Sequence, residues 1–120
     1  MFKHFQDMPI WQGSMDLAVK IFDISESFPK KEDYSLTSQI RRSALSIPAN
    51  IAEAFGRFHK KDKINFYYFA RGSITETQSH LIYSERVNYL KHETTTELID
   101  KLNDILCSIN KVIKTLKTLS

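Results

Sequence analysis

The stretch SIPANIAEAFGR, Ser46 to Arg57, decides the fold. A proline stands near its start, yet apolar residues recur on both sides at helical spacing. Leu36, Ile40, Ala44 and Ile47 lead up to Pro48, and Ile51, Ala54 or Phe55, and Phe58 follow it in the same phase. Pro48 removes one backbone donor and crowds the carbonyl of Ala44, at a cost of about 3 kcal/mol in a regular helix interior. A loop would have lost the phase. The pattern predicts either one helix kinked at Pro48 or two short helices nearly in line, from Asp33 or Ser35 to about Phe58.

Working outward, three more helical segments appear. The first runs from about Ile10 to Ser27. Trp11, Met15, Ala18 and Phe22 form one stripe, and Leu17, Ile21, Ile24 and Phe28 a second. Together they cover more than half of the circumference, which predicts a helix covered on two sides. Pro29 ends it by disfavouring helix at Phe28. The third segment runs from about Lys61 to Leu90. Phe66, Ala70, Ser73, Ile74, Thr77, Leu81 and Ser84 share one face, and Phe69, Gly72, Tyr83, Val87 and Leu90 another. Gly72 and Ser73 form a small pair in mid-helix, suited to close approach of a neighbouring helix. In the fourth, Thr94 and Glu97 read as a capping box. Leu98, Leu102, Ile105, Ile109, Val112, Leu116 and Leu119 then alternate steps of four and three, widened by Ile99, Leu106 and Ile113.

The chain has 120 residues, 42% of them hydrophobic, with three glycines and three prolines. That suffices for one domain with a real core and leaves too few turn formers for a sandwich or barrel. The expectation is an all-α, antiparallel up-and-down four-helix bundle spanning 1–120 as a single domain. No apolar run has the length of a membrane span or a signal peptide. The lone cysteine, Cys107, allows no internal disulfide, which suits a reducing cytoplasm. The expected localisation is cytoplasmic.

Enzyme signatures are absent: no phosphate-binding loop, no GxGxxG, no nucleophile elbow. His4, His59, His80 and His92 are scattered, and none has a metal-site partner at the required spacing. Glu76 and His80 share a helical face as a single pair, short of a di-metal set. We expect no catalytic residue, no metal and no cofactor.

Charge is uneven. The net charge is +3 overall, but residues 30–63 alone carry +4 and residues 1–29 carry −2. Arg41, Arg42, Arg57, Lys60, Lys61 and Lys63, on the second helix and the turn after it, are therefore the candidate contacts for nucleic-acid phosphates. A solvated, solubilising helix junction is the plainer reading. Beside the apolar stripe runs a polar edge of Gln39, Arg42, Ser46, Asn50, Glu53 and Arg57. It suits a solvated face, or a buried edge bonded to another helix or subunit, with Arg71, Ser73 and Glu76 as possible partners.

The segments LTSQIRRSALSIPANIAEAFGR and FYYFARGSITETQ resemble the small four-helix-bundle proteins named after the intervening sequences of 23S ribosomal RNA genes, also labelled S23 ribosomal proteins. The resemblance extends from WQGSMDLAVKIF through the third helix. Ser46, Pro48, Asn50, Glu53, Gly72, Ser73 and Glu76 carry its motif in a structural role. Ala54 and Thr77 depart from it, where glycine and an apolar residue are more usual. The resemblance implies a ring-like homopentamer, and similarity to the accessory protein of diversity-generating retroelements, which binds nucleic acid and a reverse transcriptase. It carries over no catalytic residue. Five copies of a +3 subunit would bring +15 to one ligand. The expected function is a non-enzymatic, homo-oligomeric bundle that binds RNA or DNA, with a protein-interaction scaffold as the alternative. The expected partners are copies of itself, a nucleic acid, and a reverse transcriptase or other nucleic-acid enzyme, with no membrane.

Overall fold

Pro9 opens the first long helix, where its fixed φ fits and its missing donor costs nothing. This helix, α1, spans Pro9–Ser25, and three others follow: α2 (Leu36–Gly56), α3 (Lys60–Arg86) and α4 (His92–Thr118). The structure is a computed structural model that describes residues 2–119. Short 3-10 turns at Phe5–Asp7 and Lys30–Glu32 precede α1 and α2. The described residues form a rod of 49 × 23 × 21 Å.

The helices pack in chain order around a square, α1 on α2, α2 on α3, α3 on α4 and α4 back on α1. Side-chain pairs give the directions. From Arg42 to Ser46 on α2, the partner on α3 falls from Glu76 to Ser73. Between α3 and α4, Arg71 meets Asn110 while Gln78 meets Asn103. These adjacent helices are therefore antiparallel. The core is aliphatic: Ile21, Ile40, Ile47, Ile51, Ile74, Leu81, Leu98, Leu102 and Ile109 are fully buried. At about 25 cal/mol per Å² of apolar surface, such burial supplies the main drive to fold.

Helix α2 is continuous through Pro48, which is itself buried, so the two-helix alternative falls away. It ends at Gly56, two residues before the Phe58 expected from the stripe, because Arg57 is extended (φ −83°, ψ 147°). Helix α3 stops at Arg86, not Leu90. Asn88 takes a left-handed φ of 66°, its N–H bonds to Glu85 O, and the N–H of Tyr89 bonds to Ser84 O. This pair of bonds closes the helix and satisfies its last carbonyls. The capping box is not used. Helix α4 begins at His92 after an extended Lys91, so Thr94 lies inside the first turn and Glu97 pairs instead with Lys101 at 3.3 Å.

Among the faces read from sequence, the inner faces of α3 and α4 hold the core. Tyr67, absent from both α3 stripes, is also buried, and burial pushes its phenol pKa up. The last turns of α4 drift outward: Ile113 is buried, Leu119 exposed. Gly72 faces open space rather than a neighbouring helix of the chain. Of the two α1 stripes, Leu17, Ile21 and Phe28 are buried, whereas Phe22 stays about half exposed, as do Val19, which lies in neither stripe, and Leu45 of α2. Met15, Ala18, Val19, Phe22, Arg41 and Leu45 border an apolar cleft of about 240 Å³.

The end of the bundle that holds the α1–α2 and α3–α4 links is fastened by Glu32. Its carboxylate accepts from Ser35 Oγ at 2.7 Å and from Tyr89 Oη at 2.8 Å. These bonds, Ser35 first, hold the Glu32 pKa below its ordinary value. The same carboxylate raises the Tyr89 phenol.

Candidate nucleic-acid interface at one end of the bundle

The polar edge of α2 is partly buried against α3 at Ser46 and Asn50 and exposed at Gln39, Arg42, Glu53 and Arg57. Ser46 Oγ accepts from Ser73 Oγ at 2.8 Å and from Asn50 Nδ2 at 2.9 Å. Asn50 also donates to Ser46 O. One step along, Thr77 and Ser43 hydroxyls meet at 2.8 Å in a fully buried position. Arg42 donates to Gln39 and to Glu76, the latter at 3.1 Å, and His80 reaches the same Glu76 oxygen at 3.2 Å. Of the three α3 partners anticipated, Ser73 and Glu76 face α2, while Arg71 turns to Asn110 of α4. Small hydroxyls let two backbones approach while satisfying each other's polar groups. Serine and threonine in this pattern bond to one another and pack.

The six basic candidates separate into three groups. Arg41 is turned inward to α1: its Nε donates to Ser25 Oγ at 2.7 Å, its guanidinium lies 4.3 Å from the Phe22 ring centroid, and Glu26 is 3.6 Å away. Arg42 is engaged with α3 as described. Both sit within the first two turns of α2, about 22–24 Å along the axis from Arg57 at 1.5 Å per residue. Lys63 points back at the end of α2, where Nζ donates to Ala54 O at 3.2 Å and Phe55 O at 3.1 Å. It adds a charged donor to the last carbonyls of α2, of which Ala54 O also accepts from the Arg57 N–H at 3.3 Å.

Arg57, Lys60 and Lys61 remain at the α2–α3 junction. Arg57 pairs with Glu53 at 3.1 Å, both about half exposed, a surface pair that water and salt weaken readily. Its guanidinium also lies 4.7 Å from the centroid of Phe66. Lys60 Nζ donates to Leu119 O, which brings the end of α4 to this junction. Lys61 is exposed and makes no hydrogen bond or ion pair among the described residues. Between these cations stands Phe58, almost wholly exposed.

The fold adds cations that the linear charge count passed over. Lys117 Nζ lies 5.4 Å from the centroid of Tyr68 and the Arg71 guanidinium 5.3 Å from it, two turns along α3 from the junction. Arg71 and Lys117 are distant in sequence from Lys60. The clue was the helix order itself: in an up-and-down bundle the end of the fourth helix returns to the start of the third. One bundle end thus gathers Arg57, Lys60, Lys61 and Lys117, with Arg71 reaching toward Tyr68 from the middle of α3 and exposed or half-exposed aromatics between them.

The described residues hold no group of three or more His, Cys, Asp or Glu placed to bind a metal ion. Among the described residues, no helix is long and apolar enough to cross a membrane. No curated protein matches the chain. Among solved structures, a protein of unknown function from the S23 ribosomal protein family of Bacteroides thetaiotaomicron VPI-5482 superposes with a TM-score of 0.81 at 26% identity, over 88% of this chain and 98% of that one. Residues 6–111, which include α1, α2, α3 and most of α4, match the family described as 23S rRNA-intervening sequence protein, and the chain belongs to that family.

Proposed function

We propose that this protein is a non-enzymatic, homo-oligomeric helical bundle that binds RNA or DNA through the basic end formed by Arg57, Lys60 and Lys61, extended by Arg71 and Lys117. The observation that carries the reading is the convergence of Arg57, Lys60, Lys61 and Lys117 at one end, where Lys61 makes no hydrogen bond or ion pair among the described residues and Arg57 pairs with the half-exposed Glu53. Arg41, Arg42 and Lys63 serve the bundle, holding α1, α3 and the end of α2. Phosphate contacts release counterions, so log Kd should rise linearly with log salt. Binding of structured RNA and duplex DNA across a salt series is the test. Replacing Lys60 and Lys61 with Ala should lower the slope by roughly one to two units. Absence of salt-sensitive binding at low ionic strength would refute the proposal.

The apolar cleft of α1 and α2 supports self-assembly, in the ring-like homopentamer that the resemblance implies. Val19, Phe22 and Leu45 are surplus to the core of one chain. A monomer at micromolar concentration by light scattering would overturn that part. The same cleft favours a second reading, a scaffold in the cytoplasm for a protein partner such as a reverse transcriptase. A partner that survives nuclease treatment, with no direct nucleic-acid binding, would select it.

A further inference from the structure

We infer that Phe58 is a stacking platform for an unpaired base, so that the basic end takes single-stranded or looped nucleic acid in preference to duplex. The inference rests on the proposed binding of nucleic acid at this end and specifies the class of ligand. Phe58 sits at 88% exposure in the three-residue link between α2 and α3. The link is drawn out, with Arg57 and His59 both extended. The ring touches one other aromatic, His59, edge to face at 5.1 Å and 85°. An edge-to-face contact leaves at least one face of the phenyl ring open.

A phenyl group carries no polar atom to reward exposure to water. Its neighbours argue for the kind of surface that covers it. Arg57 precedes it and Lys60 and Lys61 follow within one turn, so any group on the ring is bracketed by cations that reach for phosphates. An apolar protein surface would gain nothing from those charges. A nucleotide uses both, base on ring and phosphate on cation. A duplex keeps its base faces stacked inside and presents only edges and backbone along its length, whereas loops and single strands offer the face. Tyr34 is a built-in contrast. It is 98% exposed but lies at the opposite end of the bundle beside Glu32 and Asp33, and, unlike Phe58, it carries a hydroxyl that can bond to water.

The experiment uses fluorescence anisotropy on the full chain at fixed low salt. The probes are labelled unstructured oligonucleotides of about 20 nucleotides, as RNA and as DNA, and the matching DNA duplex. The wild type should bind single strands more tightly than duplex. Phe58→Ala should weaken single-strand binding roughly tenfold, equivalent to about 1.4 kcal/mol, within the range of one base–aromatic stack. Duplex binding should stay unchanged. Phe58→Trp should restore single-strand affinity, and Tyr34→Ala should behave as wild type. Equal affinity for strand and duplex, or a Phe58→Ala loss shared by both, overturns the inference while leaving the basic end as the binding site. Loss of oligomer mass in Phe58→Ala with no change in strand preference also overturns it. Failure of the wild type to bind any probe refutes the underlying function instead.

Discussion

Replacing Lys63 with Met separates a helix cap from a ligand contact. The side chain keeps its apolar length and loses the ammonium that donates to Ala54 O and Phe55 O, at 3.2 and 3.1 Å. Both carbonyls belong to the last turn of α2, at the negative end of its dipole. A cation there contributes about 0.3–1 kcal/mol through the dipole alone. Hydrogen bonds from charged donors add about 1.5–3 kcal/mol when dry. Lys63 is half-buried, so water takes over part of that, and a net loss of about 1–2 kcal/mol follows. With about 2.1 cal/mol/K of unfolding entropy per residue, a domain of this size loses roughly 4 °C per kcal/mol. Thermal unfolding followed by circular dichroism should therefore show a midpoint lower by about 4–8 °C, at matched protein concentration. The salt slope of nucleic-acid binding should be that of the wild type. An unchanged midpoint with a shallower slope would show that Lys63 serves a ligand and that the cap is incidental.

Three further outcomes follow from the bundle itself. Thr77→Val should cost no more than about 1 kcal/mol in urea unfolding, because Ser43 Oγ keeps Ile40 O as acceptor at 3.2 Å and no buried donor is stranded; a loss above about 2 kcal/mol would mean the hydroxyl seam fixes the packing of α2 on α3. Gly72→Ala should stabilise the chain by about 0.5–1 kcal/mol, since the added methyl meets open space and glycine is the poorer helix former; a lower thermal midpoint would show that this face is packed against another copy. The Glu32 fastening should be sensitive to acid. Its folded pKa lies below its ordinary 4.5, so its contribution is fully present above that value and is lost as pH falls through the folded pKa. Denaturation midpoints between about pH 6 and pH 3 should fall less steeply in Tyr89→Phe, which removes one of the bonds that lower the pKa, than in the wild type.

The helices were legible because their apolar periodicity is long and nearly unbroken, and the stripe through Pro48 correctly outweighed the proline. Boundaries were less so. Thr94 and Glu97 have the right spacing for a cap, but the chain enters α4 from the Asn88 turn, and the cap position falls three residues earlier, at Lys91. The polar edge of α2 was visible as a line, and the choice between solvent and burial needed α3 in place: Ser46 and Ser73 are adjacent only after folding. The basic site was half legible. A count along the chain weights Arg41 equally with Lys61, although one is spent on Ser25 and Phe22 while the other faces water. The same count omits Lys117, which reaches Tyr68 only because the fourth helix runs back along the third.

The seam between α1 and α4 is the thinnest of the four, with fewer close approaches than any other adjacent pair of helices. A cleft of about 460 Å³ lies in it, lined by Gly13, Asp16, Leu17, Lys20, Lys101, Asp104 and Ile105. It also joins the two helices most distant along the chain, so closing it demands the longest loop, whereas the α2–α3 hairpin needs a link of three residues. Assembly and breathing are therefore ordered. The α2–α3 hairpin, with its hydroxyl rungs, is the part to form early and exchange its amide protons last. The α1–α4 seam is the last to shut and the first to open, so a strained or heated bundle parts along that line while the hairpin that presents Arg57, Lys60 and Lys61 stays intact.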